Sequence, residues 1–470
     1  MRRAAASLVA ILLVAACSSS SNGSQHSTSA SPAGPNILTG SIGKAQYIIE
    51  LPRKWNGTLF LYSHGYVAPG GTNPALASPD PALGQWLLAG GYGLAASSYS
   101  STGWAIEDAL SDQIALLDYI DTHFGKPKRV IAIGASLGGI ITAGLIQNYP
   151  KRFAGAIPLC GVLAGGVATW NTGLDAAYAF KTLLAPSSQL QLVDIKDPQA
   201  NAKLAADLEA EAIQTPAGRA RMSLIAALAD IPGWFLPTQP EPGPTDYAAM
   251  VAAQAQWESR IDFPFAFGYR AELEKRAGGN PSWNVGVDYR LQLQKSQYVA
   301  EVVALYGAAG ISLGADLAAL NAGANIKPDS GAVDYLNRYI TFDGDVRVPV
   351  ITAHTTADGL VIPQNDSAYG EVVRFAGRGS LLRQVYVHRA GHCAFTSAEV
   401  ITIIKAMLSR LDKGFWDDAA LAPAAMNSAA TALGAQDNSI GGFFAATPAF
   451  TAFAPGQYPR GFTAGSRVPA

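Results

Sequence analysis

The 470-residue chain has little charge: Asp, Glu, Lys and Arg make up 14% of its residues, and the formal net charge is −2. This balance provides no strong field of either sign, so we expect no nucleic-acid partner and no electrostatic binding to an anionic membrane surface. The sequence also lacks an H-E-x-x-H motif, a Cys/His ligand cluster and a G-x-G-x-x-G after a strand, so we expect neither a metal nor another cofactor. Its hydrophobic content of 49% indicates a well-buried globular core.

The N-terminus has the pattern of an export signal. Arg2 and Arg3 precede an apolar stretch that is too short to span a bilayer, and no later stretch is long and apolar enough to do so. The signal ends in "VAAC", which resembles the bacterial lipobox and implies that Cys17 is lipidated. Residues 1–17 are then the signal, and the Ser/Gly/Pro-rich residues 18–40 are a flexible tether. We therefore predict an exported protein, lipid-anchored to the cell membrane or secreted; the alternative is an ordinary signal peptide.

Beyond the tether, predicted strands alternate with predicted helices. The run "RVIAIGAS" is typical of a parallel strand buried on both faces, and "EDALSDQIALLDYIDTHF" has the periodicity of an amphipathic helix. This alternation covers residues 41–161, stops over the Ala-rich, helical residues 162–340, and resumes over residues 341–415. It predicts one α/β core with a mainly parallel sheet, interrupted by a helical insertion. Residues 416–470 follow as an irregular, aromatic-containing tail that we expect to pack on the core.

One serine stands between glycines where a buried strand turns into a helix. The pentapeptide "GASLG", Gly134 to Gly138, resembles the G-x-S-x-G nucleophile elbow of the α/β-hydrolase fold, with Ser136 as the nucleophile. The alternative is a turn that merely needs small residues. The resemblance implies an α/β-hydrolase fold, in which the helical insertion read from the pattern follows the sixth strand.

A serine hydroxyl needs a base and an orienting acid, which follow the serine in this fold in the order Ser, acid, His. His392 lies in a loop directly after the last predicted core strand and is our choice for the base, and Asp358 follows the preceding strand and is our choice for the acid. The other candidate histidines and aspartates stand at less suitable positions: in the tether, in helices or strands, in another motif, or at the wrong end of a strand. They are His26, His64, His123, His354, His388, Asp343, Asp345 and Asp366.

The resemblance also implies an oxyanion hole made of two backbone N–H groups. One belongs to Leu137, the residue after the nucleophile. The other belongs to Tyr66, because "LYSHGY" is similar to the H-G-x form of the loop after the third strand. The alternative for this loop is a simple turn that ends a strand.

Aromatic residues cluster in loops of the insertion, at "IPGWF", "IDFPFAFGY" and "NPSWN". Core packing accounts for any one of them, but as a set we expect some to line an apolar acyl pocket. Our choices for the pocket are Trp234, Phe235 and Trp283 from the insertion, with Trp104 from the core.

These residues predict a serine hydrolase that cleaves a small-molecule carboxylic ester through an acyl-enzyme intermediate. An amidase or peptidase is the alternative with the same triad, and a binding protein without catalysis is a third. The membrane contact that we expect is the lipid anchor alone.

Lipidation of Cys17 would leave Cys160 and Cys393 in an exported protein. Cys160 ends the strand after the nucleophile helix, and Cys393 follows His392, whose loop must reach the same edge of the sheet. We therefore predict a Cys160–Cys393 disulfide; the alternative is two separate buried thiols.

Overall fold

A computed structural model describes residues 35–463 and 465–469. The predicted signal, Cys17 and most of the predicted tether lie outside the described residues. The tether ends earlier than predicted, because a strand begins at Asn36 and pairs with a neighbouring strand in which Leu51 faces Asn36.

A nine-stranded, mainly parallel sheet forms the centre of the molecule, in the order β1-β2-β4-β3-β5-β6-β7-β8-β11. Neighbours from β4 through β8 are parallel, and β1, β2 and β11 join the two edges in antiparallel pairings. The strands are β1 (Asn36–Ile42), β2 (Ala45–Leu51), β3 (Thr58–Ser63), β4 (Gly93–Ser97), β5 (Arg129–Ala135), β6 (Gly155–Leu159), β7 (Val350–Ala357), β8 (Leu382–Ala390), β9 (Ser439–Ile440), β10 (Phe444–Ala445) and β11 (Phe450–Thr451); β9 and β10 form a separate pair.

Fifteen α-helices accompany these strands within the described residues. They are α1 (Pro81–Ala89), α2 (Ile106–His123), α3 (Leu137–Asn148), α4 (Gly166–Leu184), α5 (Pro198–Ala212), α6 (Pro216–Ala229), α7 (Tyr247–Trp257), α8 (Arg270–Ala277), α9 (Tyr289–Leu293), α10 (Val299–Ala309), α11 (Leu313–Gly323), α12 (Ser330–Arg338), α13 (Gln364–Phe375), α14 (Ser397–Lys413) and α15 (Pro423–Thr431). Over the described ranges, no single helix is long and apolar enough to cross a membrane; α10 and α11 pass that test only as a pair bent by 113°.

Helices cover both faces of the sheet, which explains why the central strands are apolar on both faces. In β3, Leu59 and Leu61 belong to the hydrophobic cluster that includes α2 and α3, whereas Phe60 and Tyr62 belong to the cluster that includes α1 and α14. Alternate side chains of a strand point to opposite faces, so such a strand reads as a continuous apolar run. The predicted α/β-hydrolase fold is confirmed by this arrangement.

The helices α4 to α12 form the large insertion, and it follows β6, the sixth strand, as predicted. Most of its helices pack around a hydrophobic cluster of their own, built on large side chains such as Phe180, Phe263 and Phe267. Polar contacts also join it to the core: Arg276 forms an ion pair with Asp108 at 3.1 Å. The insertion therefore lies against the carboxyl ends of the sheet strands as a second layer with its own core.

The C-terminal tail is more regular than predicted. It contains α15, and its strand β11 extends the sheet by pairing with β8. Farther on, Arg460 inserts its guanidinium between the carboxylate of Asp175 and the carbonyl of Trp283. The tail has little periodicity in the sequence because its buried side chains, such as Phe450, Tyr458 and Phe462, are irregularly spaced along it.

Candidate active site

The turn between β5 and α3 holds Ser136 in a conformation that side chains rarely adopt. Its φ of 59° and ψ of −124° lie outside the usual regions, and its N–H donates to the Leu159 carbonyl at 3.0 Å. A side chain at Gly138 would collide with the Ser63 carbonyl, and one at Gly134 would collide with the Gly138 carbonyl. The two glycines are therefore needed for β5 and α3 to meet this closely, and the serine is raised above the sheet edge.

The structure brings Ser136, His392 and Asp358 together in one hydrogen-bonded chain. Nε2 of His392 lies 2.7 Å from Oγ of Ser136, and Nδ1 of His392 lies 2.7 Å from Oδ2 of Asp358. Ser136 follows β5, Asp358 follows β7 and His392 follows β8, so the carboxyl ends of three parallel strands deliver the three groups to the same edge. In this geometry the imidazole can take the serine proton while the carboxylate fixes its tautomer.

Asp358 is held in position by its own loop. Its Oδ1 accepts hydrogen bonds from the N–H groups of Leu360 at 3.1 Å and Val361 at 3.0 Å, which leaves Oδ2 free to face His392. The side chain is fully buried. These contacts fix which carboxylate oxygen meets the imidazole.

A second imidazole, that of His354, lies beside this carboxylate. Its Nε2 is 3.6 Å from Oδ2 of Asp358 and 2.6 Å from the Val361 carbonyl, and its Nδ1 is 3.6 Å from Oδ1 of Asp366. Burial alone would lower the pKa of His354, but the two aspartates outweigh burial and raise it to about 10. Burial alone would raise the pKa of Asp358, but His392 and His354 hold it below the ordinary value. Asp358 is thus an ionised carboxylate with a buried cation beside it at neutral pH.

Sequence reasoning gave His354 no part in this site, although its position is informative. His354 stands four residues before Asp358, within the buried strand β7. A fully buried histidine in a parallel strand needs a polar partner, and the acid at the end of the same strand was the nearest one in the sequence.

The loop after β3 carries the second predicted oxyanion donor. A side chain at Gly65 would lie 3.4 Å from Cβ of Ser136, so the loop passes directly over the nucleophile. The buried His64 ring holds it there: its Nδ1 lies 2.8 Å from the Gly65 carbonyl, and its Nε2 lies 3.1 Å from the Ser98 carbonyl. The Tyr66 ring packs against Phe265 of the insertion, with ring centres 4.9 Å apart.

The first oxyanion donor, Leu137, is the first residue of α3. The first N–H groups of a helix have no carbonyl partner within the helix, so that of Leu137 is available to an oxygen placed above Ser136. Both Tyr66 and Leu137 line the cleft into which Ser136 opens. The two residues predicted to supply the donors therefore lie at the cleft that contains the nucleophile.

That cleft lies between the core and the insertion and holds about 980 Å³ of free space, its open mouth included. Its lining is apolar and aromatic for the most part. The large side chains come from the core, the insertion and the tail: Tyr66, Trp104, Trp170, Phe263, Phe265, Leu360, Val361, Ile362 and Tyr458.

Of the four pocket residues predicted from the sequence, only Trp104 lines the cleft. Phe235 packs edge-on against Trp257, with ring centres 4.9 Å apart. Trp234 lies near His388, with ring centres 5.6 Å apart. These two predictions were wrong because the loop that carries them folds away from Ser136 and fills gaps between the insertion and the core.

The prediction for Trp283 was also wrong. Its ring is buried against Phe462 of the tail, with centres 5.9 Å apart, and beneath the guanidinium of Arg460, 5.5 Å from the ring centre. The tail had no assigned position in the sequence reasoning, so its contacts with the insertion were missed.

Cys160 and Cys393 form a disulfide, as predicted, with their Cα atoms 5.4 Å apart. The bond joins the residue after β6 to the residue after His392. Sγ of Cys393 lies 3.5 Å from Nε2 of His392, so the bridge sits directly beside the imidazole. It fixes the histidine loop to the strand whose Leu159 carbonyl holds Ser136.

Comparison with known proteins finds similarity to several hydrolases. A model of the prolyl oligopeptidase family matches residues 103–179, which include the nucleophile turn. The chain is 28% identical to the o-phthalyl amidase of Xanthobacter agilis over 405 residues, which cover 79% of this chain and 86% of that protein. Similar solved structures include an esterase from Aspergillus oryzae, with a TM-score of 0.40, 13% identity and coverage of 81% of this chain and 80% of that chain. A serine hydrolase from Cycloclasticus zankles has a TM-score of 0.37, 14% identity and coverage of 82% and 100%.

The sheet topology, the strained serine between two glycines and the imidazole that joins it to a buried carboxylate all belong to one structural class. The protein is a serine hydrolase of the α/β-hydrolase fold.

Proposed function

We propose that the protein hydrolyses carboxylic esters of apolar acids through an acyl-enzyme intermediate. The observation that carries this proposal is the apolar, aromatic-lined cleft that opens onto Ser136. An apolar cleft of this kind favours an acyl group of aromatic size over a polar one.

In the proposed reaction, Ser136 Oγ attacks the ester carbonyl while His392 Nε2 takes the hydroxyl proton. The N–H groups of Leu137 and Tyr66 stabilise the oxyanion, and Asp358 stabilises the imidazolium. His392 then gives its proton to the departing alkoxide, which leaves as the alcohol. A water molecule, deprotonated by His392, attacks the acyl-serine ester. The bond between the acyl carbon and Ser136 Oγ then breaks, His392 returns the proton to Oγ, and the carboxylic acid is released.

Matched substrates test the proposal. We expect p-nitrophenyl benzoate to be turned over with a higher kcat/KM than p-nitrophenyl esters of short polar acids, and Ser136→Ala to abolish turnover. If the Ser136→Ala variant kept the rate of the wild-type protein, the acyl-enzyme route would be wrong.

Amide hydrolysis is the second candidate, since the relative with 28% identity is an amidase. The same triad cleaves both bonds, because His392 can protonate a departing amine as well as an alkoxide. Benzoyl-p-nitroanilide shares its acyl group with p-nitrophenyl benzoate and isolates the leaving group. A higher kcat/KM for the anilide would favour the amidase and reject the esterase proposal.

We also propose that the protein works outside the cytoplasm, exported by its N-terminal signal and anchored through Cys17 or released. The Cys160–Cys393 disulfide supports this location, because such bonds persist in oxidising compartments. Metabolic labelling with a fatty acid should mark the wild-type protein but not Cys17→Ser. Equal labelling of both would refute lipidation at Cys17.

A further inference from the structure

Two carboxylates interrupt the apolar lining of the cleft. Glu258 and Asp262 both line it, and they lie at the two ends of a π-helical turn, Glu258–Asp262, that continues from α7. Their spacing of four residues places them on the same side of the turn. Single π-turns within helices occur frequently at functional sites, because they redirect side chains that an α-helix would hold elsewhere.

Among residues 35–463 and 465–469, nothing forms a hydrogen bond with either carboxylate oxygen of Glu258, although the residue is 0% exposed. The same holds, within these ranges, for the buried Oδ2 of Asp262. A buried carboxylate without a partner costs considerable free energy, so such a group in a substrate cleft calls for a ligand that supplies the partner.

Further acidic side chains lie near these two residues. Burial raises the pKa of Glu258 well above its ordinary value, and the neighbouring carboxylates of Glu209, Asp262 and Glu301 raise it further. Burial likewise raises the pKa of Asp262, together with Asp358 and Glu209. These shifts favour the protonated, uncharged forms of both acids in the free protein. A bound cation would favour their ionised forms and pair with them, whereas a bound anion would be repelled by every ionised member.

The rest of the cleft suits an organic cation better than a metal ion. In the described part of the chain, no three of these five carboxylates bring their oxygens within 4.8 Å of one another. Aromatic rings of Tyr66, Trp104, Trp170, Phe263 and Phe265 line the same cleft. Such faces attract ammonium groups and offer nothing to a hard divalent ion.

We infer that the cleft binds substrates whose acyl group carries a positively charged amine, and that Glu258 and Asp262 bind this amine while Ser136 attacks the carbonyl. The inference rests on the proposed esterase function and narrows its substrate class from apolar acids in general to acids in which an apolar ring, held by the aromatic lining, also carries an amine. Glu258 and Asp262 are specificity-determining residues in this scheme.

An isosteric pair of esters tests the inference. The p-nitrophenyl ester of 4-(aminomethyl)benzoic acid carries an ammonium where the 4-ethylbenzoate ester carries a methyl group. For the wild-type protein we expect kcat/KM to be higher for the ammonium ester than for the 4-ethylbenzoate ester. In Glu258→Gln, the kcat/KM of the ammonium ester divided by that of the 4-ethylbenzoate ester should fall by about 30-fold or more. Equal values for the two esters in the wild-type protein, or a preference for the 4-carboxybenzoate ester, would overturn the inference.

The control variant is Glu301→Gln, which removes the same charge from the same group of acids. Glu301 is buried and accepts a hydrogen bond from Gln254 at 3.1 Å, but it does not line the cleft. We expect this variant to change the ratio far less than Glu258→Gln. An equal change in both variants would mean that a general field, not contact with the ligand, sets the preference, and the assignment of Glu258 would be wrong.

A binding measurement separates this inference from the esterase proposal. In calorimetry, the Ser136→Ala variant should bind benzylammonium more tightly than benzyl alcohol. The double variant Ser136→Ala/Glu258→Gln should bind the two compounds equally. If no ester is hydrolysed but this difference is seen, the esterase proposal fails and the cation site stands. If esters are hydrolysed but benzylammonium shows no advantage, the cation site fails and the esterase proposal stands.

Discussion

Removing the Cys160–Cys393 disulfide should destabilise the fold by an amount that the sequence separation sets. The cysteines are 233 residues apart. For a loop of this length, the chain-entropy model gives a loss of about 18 cal/mol/K, or about 5.5 kcal/mol at 25 °C. An unfolding entropy near 2.1 cal/mol/K per residue gives a total unfolding entropy of about 0.9 kcal/mol/K for a folded unit of roughly 430 residues. The double variant Cys160→Ala/Cys393→Ala should therefore melt about 6 °C below the wild-type protein.

The same change should lower activity, because the bridge fixes the loop that carries His392. Without it, the imidazole is still hydrogen-bonded to Asp358, but the loop loses its covalent link to β6 and thus to the strand end that holds Ser136. Misplacing a reacting group by about 1 Å costs on the order of a hundredfold in rate. We expect kcat/KM of the double variant to fall by about tenfold to a hundredfold.

Calorimetry and ester hydrolysis, each with and without a reductant, check both effects. Reductant should lower the melting temperature and activity of the wild-type protein and leave the double variant unchanged, which controls for side effects of the reductant. If the double variant melts at the wild-type temperature, the entropic argument is wrong. If it melts lower but retains full activity, the bridge stabilises the fold without positioning His392.

Three further predictions concern the nucleophile, a buried acid and the tail. A fluorophosphonate probe should label the wild-type protein and not Ser136→Ala; labelling of both would contradict the assignment of the nucleophile. Burial raises the pKa of Glu209 to about 8, so the folded state keeps a proton that the unfolded state loses from about pH 4.5 upward. Stability should then fall with rising pH up to about 8, and denaturant titrations of Glu209→Gln should show a stabilisation that grows over this window and is absent below it. Arg460→Met should destabilise the fold by about 3–5 kcal/mol, because it leaves the fully buried carboxylate of Asp175 without its cation, and adding Asp175→Asn should restore part of the loss in the same titration.

The core and the Ser136–His392–Asp358 chain were predictable because each depends on local pattern and strand order. The run around Ser136 has an apolar strand, two glycines and an apolar helix in sequence, and the backbone of the turn requires that order. Asp358 and His392 each directly follow a strand, and parallel strands bring such positions to one edge without any knowledge of the loops.

The walls of the cleft were not predictable in the same way. Trp104 follows a core strand and was placed correctly, whereas Trp234 and Trp283 depend on how helices of the insertion pack against one another and against the tail. The acids of the cleft were missed because Glu258 and Asp262 read as the polar end of an Ala-rich helix. Their burial follows from a π-helical turn, which has no distinct periodicity in the sequence.

The C-terminal tail links the parts of the molecule that form the site. Its strand β11 pairs with β8, which leads to His392, and its Tyr458 lines the cleft. Arg460 binds Asp175 of α4 in the insertion, where the buried carboxylate is also held by the hydroxyl of Tyr289 at 3.0 Å. One segment of chain therefore contacts the strand that leads to the base, the wall of the cleft and the insertion above it. Because the insertion has its own hydrophobic cluster, these contacts and the polar contacts between α8 and α2 act together in fixing it over Ser136. The core, the insertion and the tail together form the walls of the cleft, so the cleft keeps its shape only while all three stay in place. The buried Arg460–Asp175 pair holds the tail in place.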